Sequence, residues 1–103
     1  MNDRLRGNVD FLVLAALEDG RAHGYRLVEI LRERSDGAFD LPEGTVYPSL
    51  YRLERRRVVA SSWETVDGRR RRVYRLTASG TAELERQRSE WREFTRAMEA
   101  VVA

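Results

Sequence analysis

Pro48, inside the run Glu43–Arg57 (EGTVYPSLYRLERRR), constrains this chain more than any other residue. Val46, Leu50 and Leu53 in that run recur at helical spacing and can be buried together. Proline has no backbone N–H, so it fits near a helix start, where few N–H groups have partners yet. The spacing therefore predicts a helix beginning at Glu43 to Thr45, with its N-terminal end leading into whatever it binds. Opposite the apolar residues the reading places Thr45, Ser49, Arg52 and Arg56. Small hydroxyls and guanidiniums on one exposed face suit a DNA major groove, where Arg pairs with guanine and Ser or Thr bonds to either kind of base edge. An ordinary amphipathic surface helix has the same composition, so the run alone does not decide.

A chain of 103 residues makes one domain with a small core, and a core that size gains from a partner subunit. There is no Cys and one His, His23, which removes thiol catalysis, disulfides and metal sites built on Cys or His. His23 reads as a capping or turn residue. No paired acids, nucleophile elbow, Gly-rich phosphate loop or metal spacing appears, so neither an enzyme nor a cofactor is expected. No stretch is long and apolar enough to cross a membrane, and the start, MNDRLRGNVD, lacks the apolar run of a signal peptide. The expectation is a soluble, cytoplasmic protein with no membrane partner. Charge decides more. From Arg52 to Arg75 there are nine Arg against Glu54, Glu64 and Asp67, a local +6 in a chain of net charge +2. Positive charge gathered into one quarter of the length suggests a polyanion partner.

The helix at Glu43–Arg57 follows two others. Asn8 to Leu17 is nearly continuous in apolar residues and by composition could be a buried strand; Ala15, Ala16 and the two Leu after Phe11 favour a helix, with Asn8 as cap and Gly20 as terminator. His23 to Ser35 carries the stripe Leu27, Val28, Ile30 and Leu31, with Tyr25 at its start free to bond a phosphate or to pack. Residues 35–42 form a connecting loop. Val58–Val66 is β-prone, Asp67-Gly68 is a hairpin turn signal, and Arg69–Thr77 is a second strand. Arg69 to Arg72 follow the turn and sit at or near the hairpin tip. Such a hairpin is barely stable alone and must lean on the helices, with Trp63, Val66, Val73 and Leu76 supplying apolar contacts. A basic tip beside a groove-reading helix is the arrangement of a winged helix.

The last helix runs from the TASG segment close to Val102. Leu84, Gln87, Trp91, Phe94, Met98 and Val101 step by three, four, three, four and three, a heptad seam with one polar member. One narrow seam on a long polar helix usually faces another helix, and little else in the chain can cover it. The expectation is a homodimer through Leu84, Trp91, Phe94, Met98 and Val101. Packing back onto the same domain is the alternative.

The segments HGYRLVEIL, EGTVYPSLYRLERRRVV and RRRRVYRLTASG closely resemble the PadR family of bacterial transcription regulators. The match covers roughly Asn8 to Gly80, and GTVYPSLYRLE with YRLT-x-x-G is specific in combination. The resemblance implies a mainly α fold with a small β-hairpin. A winged helix-turn-helix DNA-binding domain would span residues 1–80 and a dimerisation helix residues 81–103. It also implies repression at a palindromic operator in double-stranded DNA. Carried over by position, Thr45, Tyr47, Pro48, Ser49 and Arg52 resemble recognition-helix residues, Arg69, Arg70 and Arg71 the wing, and Tyr25 the aromatic that starts the second helix. Trp91 either fills the dimer interface or, as in some relatives, holds a planar aromatic effector. One position departs from the pattern: Arg57 stands where the family usually has Gly.

In this reading Arg52 and Ser49 read bases, while Arg56, Arg69, Arg70 and Arg71 hold phosphates. A winged-helix module that binds protein and no DNA is the rival class, and such modules usually lack a doubled basic surface.

Overall fold

The apolar run near the N-terminus is a helix, because it has neither strand alternation nor a polar face and is covered on several sides. The computed structural model describes residues 3–103, so Met1 and Asn2, with which the expected DNA-binding domain begins, lie outside the described residues. In order, the elements are α1 (Asp3–Arg6), α2 (Val9–Ala16), β1 (Ala22–His23), α3 (Gly24–Arg34), α4 (Glu43–Arg55), β2 (Val59–Val66), β3 (Arg69–Leu76) and α5 (Ala78–Val102). Helices α2, α3 and α4 bury Val13, Leu14, Leu27, Leu31, Val46, Leu50 and Leu53 against one another. Asn8 stands at the N-cap of α2, but its amide donates to the Arg4 carbonyl rather than capping the helix.

Helix α4 starts at Glu43, as the position of Pro48 predicts. Pro48 nevertheless lies in the second turn, deeper than an N-terminal proline need be. It cannot donate to the Gly44 carbonyl, a missing bond tolerated because both residues face solvent. The helix ends in a Schellman turn: the Arg57 N–H donates to the Glu54 carbonyl at 3.0 Å and the Val58 N–H to the Leu53 carbonyl at 3.2 Å. The residue between takes φ +63°, so Arg57 occupies a left-handed position in spite of its side chain.

The expected hairpin forms, with β2 and β3 in antiparallel register from Val59↔Leu76 to Val66↔Arg69. Asp67 and Gly68 both have positive φ (52° and 78°), the signature of a type I′ turn that matches strand twist. The sheet has a third strand that the sequence did not suggest: β1 pairs with the outer edge of β3 through Ala22↔Tyr74 and His23↔Val73. Two residues are too few for any periodicity to announce them.

At the sheet's open end, Thr77 caps α5 by accepting from the Gly80 N–H at 3.0 Å. The Thr77 and Ser79 hydroxyls both donate to the Arg57 carbonyl, at 2.8 and 3.0 Å. A Cβ on Gly80 would overlap the Val58 carbonyl, so this residue must be Gly for α5 to lie this close to β2. The next apolar residue, Leu84, is completely buried in the core. This corrects the expected seam: the domain itself covers Leu84, and the exposed part starts at Trp91. From Ser89 onward α5 is solvent-exposed and projects from the domain, stretching the long axis to 51 Å.

Left-handed backbone costs a residue with a Cβ about 1–2 kcal/mol, part of which a glycine returns through its looser unfolded chain. Arg57→Gly is expected to stabilise the domain by about 0.5–1 kcal/mol. A denaturant titration checks this, and an unchanged or lower midpoint would show that the guanidinium repays the strain.

Candidate nucleic-acid interface

The outward side of α4 follows from its buried side. At about 100° per residue, the direction opposite Val46, Leu50 and Leu53 is that of Gly44, Pro48, Tyr51 and Arg55. These four are exposed, Tyr51 at 63%. Thr45, Ser49, Arg52 and Arg56, which the sequence reading set opposite the core, run instead along one flank. Ser49 is fully buried and has no outward face at all. Its hydroxyl donates to Asp10 Oδ1 of α2 at 2.6 Å.

The same Asp10 carboxylate takes two bonds from Arg52, Nη2 to Oδ1 at 2.8 Å and Nε to Oδ2 at 3.3 Å. Partial burial pushes the Asp10 pKa up, but the hydrogen bonds from Arg52 and Ser49 and the charges of Arg52 and Arg56 outweigh it. The carboxyl is held below its ordinary value. Arg56 is paired with Glu83 of α5 at 3.6 Å. The flank that the sequence reading assigned to DNA is thus largely occupied by ties from α4 to α2 and α5. Tyr51 and Arg55 were missed as outward groups, although a helical wheel of the run identifies them. Arg55 lies over the Tyr51 ring, its Cζ 5.7 Å from the centroid.

Tyr47 and Pro48 are exposed, and Thr45 is half-buried. The Tyr47 ring lies directly on Gly24, where a Cβ would intrude on it. That contact seats the start of α3 against α4. Tyr25 is exposed at the same end of α3.

Strand alternation divides the wing arginines. Ser61, Trp63, Thr65, Arg70, Arg72 and Tyr74 share one face of the hairpin; Glu64, Arg69 and Arg71 share the other. Trp63, expected to supply an apolar contact, is 56% exposed. Arg70 and Arg72 lie over its ring at 5.7 and 5.6 Å from the centroid. Arg72 also donates to Ser61 Oγ at 2.9 Å and lies 3.7 Å from Glu54 of α4, which itself accepts from Ser61 at 2.5 Å.

Away from this surface, Trp91, Phe94, Met98 and Val101 are exposed along α5. Trp91 meets Phe11 of α2 edge-on at 6.3 Å. The two rings line a groove of about 600 Å³ that also touches Leu12 and Phe39, with Arg88 and Arg92 beside them.

Residues 13–86 match the family model described as the transcriptional regulator PadR-like family. The chain belongs to this family. The transcriptional regulator Rv3488 of Mycobacterium tuberculosis is 36% identical over 93% of this chain and 87% of its own length. A solved transcriptional regulator from Clostridium thermocellum has a TM-score of 0.89 at 27% identity, over 99% of this chain and 100% of that one. A PadR family transcription regulator from Clostridium difficile has a TM-score of 0.83 at 31% identity, over 94% of this chain and 100% of that one. The protein is therefore a PadR-like, DNA-binding transcription regulator with a winged-helix domain and a C-terminal helix. No helix among the described residues is long and apolar enough to cross a membrane.

The tie to Asp10 makes a stability prediction for this PadR-like domain. Asp10→Ala leaves the buried Ser49 hydroxyl without its acceptor, which costs about 1–3 kcal/mol. Because the folded pKa of Asp10 lies below its unfolded value, the ionised carboxylate stabilises the fold at neutral pH. That contribution fades as pH falls through the carboxylate range and into the lowered folded pKa. The gap between wild type and Asp10→Asn should accordingly narrow on acidification from pH 7 to pH ~3. Denaturant midpoints measured across that range check it, and a constant gap would show that the charge on Asp10 is not what matters.

Proposed function

We propose that this PadR-like regulator acts as a homodimeric repressor on a palindromic operator, and that a planar aromatic effector releases it. The supporting observation is the distribution of arginines. Among the described residues Arg55, Arg57, Arg69, Arg70, Arg71 and Arg75, all between the end of α4 and the end of the hairpin, form no ion pair; outside that segment the same holds only of Arg92 and Arg96 of α5. Helix α4 enters the major groove with Gly44, Pro48, Tyr51 and Arg55 leading, and with Tyr47 and Thr45 on its two flanks. Arg55 pairs with a guanine edge. Ser49 is too deep to read bases and Arg52 is held on Asp10, so both serve by fixing the angle of α4. Tyr25 bonds a phosphate beside the groove.

Two copies join through the exposed half of α5. Trp91, Phe94, Met98 and Val101 extend past the domain, and lone apolar rows of this kind are normally covered by a partner. Dimerisation would set the two α4 helices about one turn of DNA, roughly 34–36 Å, apart. The groove beside Phe11 and Trp91 is the site proposed for the effector, since two aromatic rings and Arg92, unpaired among the described residues, suit a flat, partly polar molecule, while Arg88 is held by Glu18 and Glu85. A cytoplasmic location follows from a DNA partner.

The experiment is fluorescence anisotropy with a duplex from upstream of the protein's own gene, at increasing salt. Affinity should fall steeply as counterions are released. Phe94→Asp puts a charge into the seam and should give a single-subunit mass by sedimentation, together with at least a tenfold loss of operator affinity, a cost of about 1.4 kcal/mol or more. A Phe94→Asp chain that remains dimeric, or a monomer that binds the operator as well as wild type, would overturn the proposed assembly.

A further inference from the structure

The two faces of the hairpin are not equivalent, and their difference bears on which arginines meet DNA. The face that carries Val59 and Tyr74 is the one that packs on the core, since both are buried in it. Followed outward along β2 and β3, that same face presents Ser61, then Trp63 with Arg72, then Thr65 with Arg70. Glu54 of α4 touches it at Ser61 and approaches Arg72. So this face overhangs the side of the domain on which α4 lies. The opposite face carries Glu64, which pairs with Arg21 at 3.0 Å, and at Val73 it stands beside His23 of β1.

We propose that the wing meets the DNA backbone through the Trp63 face, with Arg70 as the phosphate ligand and Trp63 as its support, and that Arg69 and Arg71 make no comparable contact. The inference rests on the DNA reading above and refines it, because sequence position alone grouped Arg69, Arg70 and Arg71 together. Charge complementarity singles out the backbone as occupant. Arg55 and Arg70 both lie on aromatic rings and have no acid partner among the described residues, whereas Glu54, the acid on this side, is occupied by Ser61 and Arg72. Stacking on an indole restricts a long side chain, so less freedom is lost when its guanidinium takes a phosphate. Arg72, bonded to Ser61 and near Glu54, also lies over the ring and keeps Trp63 from folding away.

The test compares neighbours of equal charge, of which Arg69 and Arg70 are exposed and Arg71 is partly buried. Arg69→Ala, Arg70→Ala and Arg71→Ala, each confirmed folded by circular dichroism, are titrated against sheared genomic duplex and against the upstream duplex over a range of salt. Arg70→Ala should lower the slope of log affinity against log salt by about 0.9 for each Arg70 in the complex. Arg69→Ala and Arg71→Ala should leave the slope within error of wild type. Trp63→Ala should weaken binding about two- to fivefold, while Trp63→Phe, which keeps a ring under Arg70, should stay within twofold of wild type. An Arg69→Ala or Arg71→Ala slope change as large as that of Arg70→Ala overturns the inference, and so does a Trp63→Ala chain that binds like wild type. Wild-type protein that binds no duplex at low salt would defeat the DNA reading itself, a different result from any of these.

Discussion

The half-buried carboxylate of Asp10 is the interaction on which the placement of α4 depends. It receives the hydroxyl of Ser49, which has no exposure to water, and two bonds from Arg52 one turn further on. Apolar packing through Val46, Leu50 and Leu53 fixes how deeply α4 sits, but packing of that kind tolerates rotation about the helix axis and sliding along it. A bidentate guanidinium and a short hydroxyl bond on one carboxylate do not, because each is directional. A buried hydroxyl without an acceptor is also costly, so the register of α4 on α2 has one satisfied solution. The presentation of Tyr51 and Arg55 to solvent is the far side of that same register.

A second junction joins the remaining parts. The Arg57 carbonyl accepts from Thr77 and Ser79, the Thr77 N–H donates to the Val58 carbonyl at 3.1 Å, and Gly80 slides under that same carbonyl. The end of α4, the root of the hairpin and the first turn of α5 therefore share a few backbone groups. This accounts for the T-x-x-G pattern physically: Thr both caps α5 and bonds back to the turn, and Gly permits the close approach. It also explains why Arg57 accepts a left-handed backbone. With its carbonyl held by two hydroxyls and its N–H in the Schellman turn, the residue's conformation is fixed by its neighbours, and the side chain bears the strain.

Most of the element order was legible in the residues. The helical period gave α3, α4 and α5, the alanines of an apolar run favoured a helix for α2, Asp67-Gly68 gave the hairpin, and the bounds differ by up to three residues, while α1 had no signal. What was not legible concerns which side of an element is covered and by what. Period alone found the apolar side of α4 but misplaced its opposite by a flank, because hydroxyls and arginines look outward-facing until Asp10 of a distant helix is seen to claim them. Leu84 has the spacing of the seam, yet spacing cannot say that α5 starts against the core and leaves it only after about three turns. Trp63 is apolar by type and was counted with the buried side chains, whereas two guanidiniums across the strand give it a stable exposed position. Strand β1 has no signal of its own and exists because the edge of β3 needs a partner.

These placements divide the arginines of the basic quarter into two groups with different physical roles. Arg52, Arg56 and Arg72 are drawn to Asp10, Glu83 and Glu54, acids contributed by three different helices. Arg55, Arg57, Arg69, Arg70, Arg71 and Arg75 are left without acids among the described residues. Exposed ion pairs contribute little to stability, so the first group is better understood as orientation than as strength. In the second group the positive charge is uncompensated, which a fold that sought only stability would avoid. A chain with nearly balanced charge overall can thus present a concentrated field around α4 and the hairpin: the acids within reach are already engaged in aiming the helix and the wing, and the arginines they leave over set the attraction for a polyanion.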